Sequence, residues 1–452
     1  LDKYLFQANV RRDGSSVFAP GRHYGVFPAF SAGWRISEES FMENLAFVSS
    51  IKLRAGWGQL GNANIPSYAW ISTLAVDGGY VLGNSQARYP AYFIEDMTNE
   101  DVKWETTTTT DVGIDFSLFD GAVSFVGDIY EKKTTDMLLR GTIPQSAGFS
   151  NGPIINIGEV KNKGWEMQLT YQNRFNELNT ALSFNLSQNK SEITDLGGVT
   201  PWIEEGVLKY DEGLELGTFW GYQVEGIWQN HDEIRNNAHR PNDRPGMYRY
   251  ADLNGYDDEG NLTGQPDGII NDADKTILGS YSPSFIYGFN MEFDYKGFDF
   301  SAFFQGEADK FLAISSNDGA NGEGENENIP QYYFDNRSIL DANGNVVSGS
   351  LPASGAVTDD GLWDSSEIQN VSYLRLKNIQ LGYSLPKPLI SKLALKNVRI
   401  YLNATNLLTW TDFVGYDPEF KGGEGGDGAV SDSGIDFYPL HKTIGGGLQI
   451  TF

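Results

Sequence analysis

The residues best equipped for chemistry are the acids and amides of one segment. Asp252, Asn254, Asp267, the Ile269 carbonyl, Asn271 and Asp274 follow the spacing D-x-N-x-D-G-x-x-N-x-x-D once the insertion 256–266 is set aside. Oxygen ligands at positions one, three, five, seven, nine and twelve suit Ca2+, with Asn271 acting through water and Gly268 at the sharp turn. Two features depart from that pattern. The insertion interrupts it, and position twelve is Asp where the longer, bidentate Glu is usual, although Asp257, Asp258 or Glu259 could substitute. The same residues also fit a solvated acidic loop closed by Asx turns.

A second set is aromatic. Trp202, Trp220, Trp228, Tyr332, Tyr333 and Trp363 lie in long polar segments. Their rings suit the apolar C–H faces of sugars or the side chains of peptides, and they equally suit packing of the segments on themselves. Trp104, Trp165 and Trp410 sit near strand ends, where an interfacial girdle accounts for them. Glu204–Glu205 and Asp257–Asp258 could pair as acid and base, but with 60 Asp and Glu such pairs arise freely. His23, His231, His239 and His441 have no metal-ligand spacing, and there is no nucleophile elbow. The glycine clusters 421–428 and 445–447 lack the Lys-Ser or helix of a phosphate loop. No catalytic residue is expected.

The chain that must position these residues has 452 residues and a formal charge of −27, a balance opposed to nucleic acid. It has no cysteine, so disulfides and thiolate metal sites are excluded. No apolar run is long enough for a transmembrane helix, which says nothing against strands that alternate. "DVGIDFSLFDGAVSFVGDIY" at 111–130 shows that alternation. Val112, Ile114, Phe116 and Leu118 face one way, as do Val123, Phe125 and Ile129 after a two-residue Asp120-Gly121 turn. The opposite face carries Asp111, Asp115 and Asp128.

The pattern predicts strands near 3–13, 24–36, 50–60, 104–119, 121–137, 160–173, 179–192, 281–294, 298–308, 371–385, 397–410 and 441–452, with a bulge near Lys377–Asn378. Connections alternate between short and long. The long ones are 61–103, 138–159, 193–280, 309–370 and 411–440, and they read as long loops without regular structure. Short turns on one side and long loops on the other are the arrangement of an outer-membrane barrel, whose greasy face meets lipid. The last strand, "IGGGLQITF", ends on Phe452, like the signal read by the barrel assembly machinery, and this places the long loops outside the cell. The chain starts in mid-pattern at Leu1 without a signal peptide, so it is expected to be the C-terminal part of something longer. A stand-alone twelve-stranded barrel acting as a passive pore or a barrel enzyme, and a soluble adhesin or glycan-binding β protein, are the alternatives.

Four stretches carry a resemblance: "FPAFSAGWRISEESFMENLAFVSSIKLRAGWGQLGN", "NEDVKWETTTTTDVGIDFSLFDGAVSFVGDIYEKKTTDML", "VKNKGWEMQLTYQN" and "VSYLRLKNIQLGYSLPKPLISKLALKNVRIYLNATNLLTW". They resemble the SusC-like TonB-dependent transporters of Bacteroidota. The resemblance implies an all-β fold, a transmembrane antiparallel barrel of about 22 strands of which residues 1–452 supply the last twelve or so. It implies a plug domain and first strands that would precede residue 1. It further implies import of oligosaccharides, with oligopeptides the alternative, in company with a SusD-like surface lipoprotein. Energy would come from TonB–ExbB–ExbD through the absent N-terminal region, and SusC–SusD pairs would assemble as a dimer. In this family the loop corresponding to 61–103 lies against the lipoprotein, so Tyr68, Trp70, Tyr80, Tyr89, Tyr92 and Phe93 are the expected interface. Members often carry an uninterrupted DxNGDG where this chain has 252–268.

Overall fold

The structure is a computed structural model that describes residues 2–84, 86–141, 143–149, 151–204, 206–314, 331–354, 362–390, 395–419, 430–431 and 439–452. Twelve long strands form one sheet in chain order. They are β1 (Tyr4–Gly14), β2 (Tyr24–Arg35), β3 (Val48–Asn62), β4 (Glu105–Leu118), β5 (Val123–Thr135), β6 (Glu159–Phe175), β7 (Leu178–Asp195), β8 (Phe285–Tyr295), β9 (Phe298–Ala308), β10 (Tyr373–Ser384), β11 (Asn397–Trp410) and β12 (Thr443–Thr451). All twelve stand where the alternation predicts them, within a few residues. Residues 281–284 are the largest difference, since they precede β8 rather than open it.

The chain divides into two compact units, residues 1–169 with 189–200, and residues 170–188 with 201–452. In the first, antiparallel register aligns the greasy positions in rows. Phe6, Ala32, Ala55, Val112 and Ile129 are successive cross-strand partners across β1 to β5. The next row towards the long-connection end is Ala8, Phe30, Trp57, Thr110 and Glu131, with the Phe30 and Trp57 rings stacked at 5.9 Å. Such contacts between aromatic and β-branched partners stabilise a sheet face by about 0.2–1 kcal/mol each. The rows are exposed rather than cored: Phe6 is 82% and Ile129 63% accessible.

The Asp120-Gly121 turn forms as predicted, both residues having positive φ and Ala122 N donating to Phe119 O at 3.1 Å. Phe119 is left-handed as well, at φ 55°, so the ladder ends at Leu118–Val123. Lys296-Gly297 repeats the paired positive φ between β8 and β9. The bulge in β10 is present: Phe303 pairs Asn378 and Phe304 pairs Leu376, leaving Lys377 unmatched.

The expectation of long loops without regular structure is corrected. In the first unit, Leu74–Leu82 and Ala87–Ile94 form an antiparallel hairpin. In the second, Trp202–Glu204, Leu208–Tyr210, Thr218–Tyr222 and Lys275–Ser280 build a four-stranded sheet, and Ile368–Asn370, Phe311–Ile314 and Val430–Ser431 a three-stranded one. The apolar residues that these segments contribute are far apart in sequence. Val207, Leu208, Phe219, Ala313 and Ile368 pack as one cluster, and Leu312, Ile314, Val371 and Phe413 as another. No single segment has a periodicity that reveals them.

Candidate functional site

The polar face of the sheet comes first. Gly33, Arg54, Gly113 and Asp128 are successive partners in one row. Arg54 lies over Gly113 and reaches Asp128 on the strand beyond, Nη2 to Oδ2 at 2.9 Å, while also gripping Asp115 at 2.8 Å. A Cβ at Gly113 would stand 2.7 Å from Arg54 Nη2, so only glycine leaves this path free. The device recurs in the second unit. Arg399 on β11 crosses Gly382 on β10 to bind Asp299 on β9. Both straps lie opposite the greasy positions, as the alternation at 111–130 requires.

The root of the 411–440 segment is fastened by buried charge. Arg375, 2% accessible, donates to Asp417 at 2.6 Å and to Glu419, and Lys377, freed by the bulge, also donates to Glu419. Burial alone would raise the Asp417 carboxyl. The hydrogen bonds from Arg375 and from the N–H groups of Glu419 and Leu440 instead hold it below the ordinary carboxylate value. Asp364 goes the other way: burial raises it despite hydrogen bonds from Ser366 and Tyr250.

The expected aromatic set is dispersed. Trp202 stacks on Tyr210 at 4.8 Å with 13° between the planes and remains 36% accessible. In the same small sheet Lys209 Nζ sits 3.8 Å from the Trp220 ring centroid. Trp363 packs on the cluster around Val207, and its carbonyl accepts from Tyr222 N. Tyr332 and Tyr333 meet edge to face at 5.6 Å on the short helix Gln331–Asn336. Trp228 is a correction. It is fully buried with Ile234, Met247 and Ala353, and its Nε1 donates to Asp243 at 3.1 Å, so no ligand can stack on it.

The acidic motif folds into a compact loop. Asp252 accepts from Asp267 N and Gly268 N, and Asp267 from Ile269 N. Asp274, fully buried, accepts from Leu253 N, Asn254 N and Asn271 N. Asn254 accepts from Gly255 N and Gly264 N, and Asn271 caps Ala273 N. Each candidate side chain thus already serves backbone donors, and the Ile269 backbone forms an isolated bridge with His239. Among the described residues no group of three or more His, Asp or Glu gathers as a metal site. These contacts are those of Asx turns.

Of the aromatics expected in 61–103, Tyr80, Tyr89, Tyr92 and Phe93 lie on the hairpin and Tyr68 ahead of it; all five are exposed, and Tyr80 pairs directly with Tyr89. Trp70 is partly buried, with its indole N–H enclosed. Phe452 is exposed beyond the end of β12. Glu205 and the glycine cluster 421–428 lie outside the described residues. The straps and the Arg375 cluster were not singled out from sequence. The signal available was an Arg or Asp on the polar face two strands from a partner, which needs the register.

Residues 1–226 match the family described as TonB dependent receptor-like, beta-barrel. The whole chain aligns with TonB-dependent receptor P26 of Formosa agariphila at 34% identity, covering 45% of that protein. It aligns with TonB-dependent receptor SusC of Bacteroides thetaiotaomicron at 30% identity, covering 42%. The chain therefore spans less than half the length of these relatives. Among solved structures, the RagAB peptide transporter superposes with a TM-score of 0.78 at 23% identity, over 100% of this chain and 46% of the other.

Proposed function

We propose, from the premise that the chain belongs to the TonB-dependent receptor β-barrel family and is SusC-like, that it is the cargo-handling wall of an energised importer. It is an outer-membrane protein, and its twelve strands are part of a transmembrane barrel. The greasy rows meet lipid, and the face with the Arg54 and Arg399 straps lines the interior. The long connections project from the cell surface. There the stacked, accessible Trp202–Tyr210 pair is the observation that carries the cargo reading: a flat aromatic surface suits the C–H face of a sugar ring. The cargo is an oligosaccharide, passed inward without being transformed. An oligopeptide is the second reading, supported by the peptide transport named for RagAB, which shares the fold.

Capture needs a lid, because a wide, carboxylate-bearing interior holds a neutral sugar weakly. A SusD-like lipoprotein supplies it, docking on the exposed aromatics of 68–93. TonB–ExbB–ExbD drives release, and two SusC–SusD pairs form the assembly. In cells carrying the full-length receptor, Trp202→Ala is expected to cut uptake of labelled oligosaccharides while uptake of labelled peptides stays low. Strong peptide uptake that the variant reduces would replace the first reading by the second. Uptake that persists after the proton-motive force is collapsed would indicate a passive pore. Deleting 64–93 should abolish co-purification of the lipoprotein while the barrel still assembles. A cysteine at Asn345 should react with an impermeant maleimide on intact cells and one at Lys387 should not.

A further inference from the structure

On β4 to β6 the lipid-facing rows end abruptly on the side of the long connections. On β4 the greasy positions stop at Val112 and continue as Thr110 and Thr108. On β5 they stop at Ile129 and continue as Glu131 and Lys133. On β6 the run Tyr171, Leu169, Met167 and Trp165 continues, at the same period of two, as Lys163, Lys161 and Glu159. These side chains meet. Glu131 holds Lys161 at 2.9 Å and Lys163 at 3.7 Å, and Glu159 holds Lys133 at 2.8 Å. Three lysines against two glutamates leave this step with a positive excess, in a chain whose formal charge is −27. Lys190 and Glu192 on the adjoining β7 add one charge of each sign.

Charge on the outer wall of a barrel is costly at the bilayer midplane and tolerated at the interface. The step must therefore sit at headgroup level, just above Trp165, whose ring suits that depth. An ammonium has three donors, and a single carboxylate contact leaves donors over. The Lys163 side chain is 60% accessible and that of Lys133 46%.

We propose that Lys133, Lys161 and Lys163 form a binding step for the phosphates of outer-leaflet lipid headgroups, continuous with the lipid-facing rows below it. This goes beyond cargo transport and rests on the long connections lying outside. The test uses the full-length receptor in nanodiscs doped with bisphosphorylated lipid A or with its dephosphorylated form, and counts retained lipid by native mass spectrometry. The wild type should retain the phosphorylated form preferentially. Lys161→Gln with Lys163→Gln should weaken retention about fivefold for each lysine, and Lys163→Arg should keep it. Lys132→Gln, on the opposite face of β5 beside Tyr130, should change nothing. If the double variant fails to assemble, Lys163→Gln alone carries the same test at the single-lysine effect. Equal retention of both lipids, no loss in the glutamine variants, or an equal loss in Lys132→Gln would each overturn the proposal. A nanodisc offers the lipid on both sides, so an error in the orientation of the long connections would appear only in the cell-labelling experiment.

Discussion

The sheet and the long connections solve the burial problem in opposite ways. In β1 to β5 large apolar residues such as Phe6, Phe30, Val112 and Ile129 are exposed along aligned rows, and the sheet is held by its ladders and by the medium that covers each face. The apolar clusters among the described residues draw their members from outside the twelve strands: around Val207 and Phe219, around Trp228, around Leu312 and Val371, and around Tyr222 and Tyr250. A membrane wall thus borrows its greasy phase from lipid, whereas the segments beyond it must make their own. The difference teaches that these connections behave as a small water-soluble domain in several pieces.

That contrast can be tested by damaging each region separately. The largest effect is expected from Trp228→Ala, which empties a closed core at a cost of about 3–5 kcal/mol. Limited proteolysis should then cut within 201–280, while the heat-dependent gel shift of the barrel stays as in wild type. A lost gel shift would mean that sheet and connections stand or fall together. Next, Arg375→Met strands Asp417 in a buried site and leaves Glu419 to Lys377 alone, costing about 3 kcal/mol and exposing the root of the 411–440 segment to protease. The pH dependence follows from the depressed Asp417 value. Its contribution is complete above the ordinary carboxylate range and is lost as the pH falls through the lowered value. Protection at this root should therefore be flat from neutral pH down to about 5 and fall below about 4. Smaller again, Asp274→Ala leaves three backbone N–H groups without their acceptor, about 1–3 kcal/mol. It should loosen 252–274 to the same extent with calcium or with chelator. Calcium-dependent protection would instead support the metal reading of that motif. Smallest is the sheet itself. Arg54→Gln removes a half-exposed strap worth about 1 kcal/mol, and Gly113→Ala should match it by blocking the same path, both read as the temperature of the gel shift.

How much of this was legible in the sequence follows the same division. A strand with one face in lipid and one in water must alternate, so Val112 to Leu118 or Phe285 to Phe293 declare themselves locally. Turn chemistry is local too, as Asp120-Gly121 shows, and so is the phase change at Lys377. The connections are cored by contacts such as Trp228 with Ala353, which no window of sequence contains. That is why the sequence left Trp228 open between a ligand-stacking ring and a self-packed one, when it is the centre of a core. The acidic motif was legible as a pattern. What its oxygens bind depends on which backbone N–H groups the insertion 256–266 brings near, and spacing does not encode that.

The straps also have a mechanical meaning. Ladder hydrogen bonds run across a sheet, so sliding a strand along its own axis needs only that they be exchanged one register at a time. Arg54 ties β3 to β5 while also holding Asp115 on the intervening β4, and Arg399 ties β11 to β9 across β10. Such a tie lengthens as soon as its two ends shear, before any ladder bond has moved a full register. It acts as diagonal bracing in a panel that is otherwise strong only at right angles. Under load along the strands, the sheet would keep its register in each unit because of an arginine and the glycine beneath it.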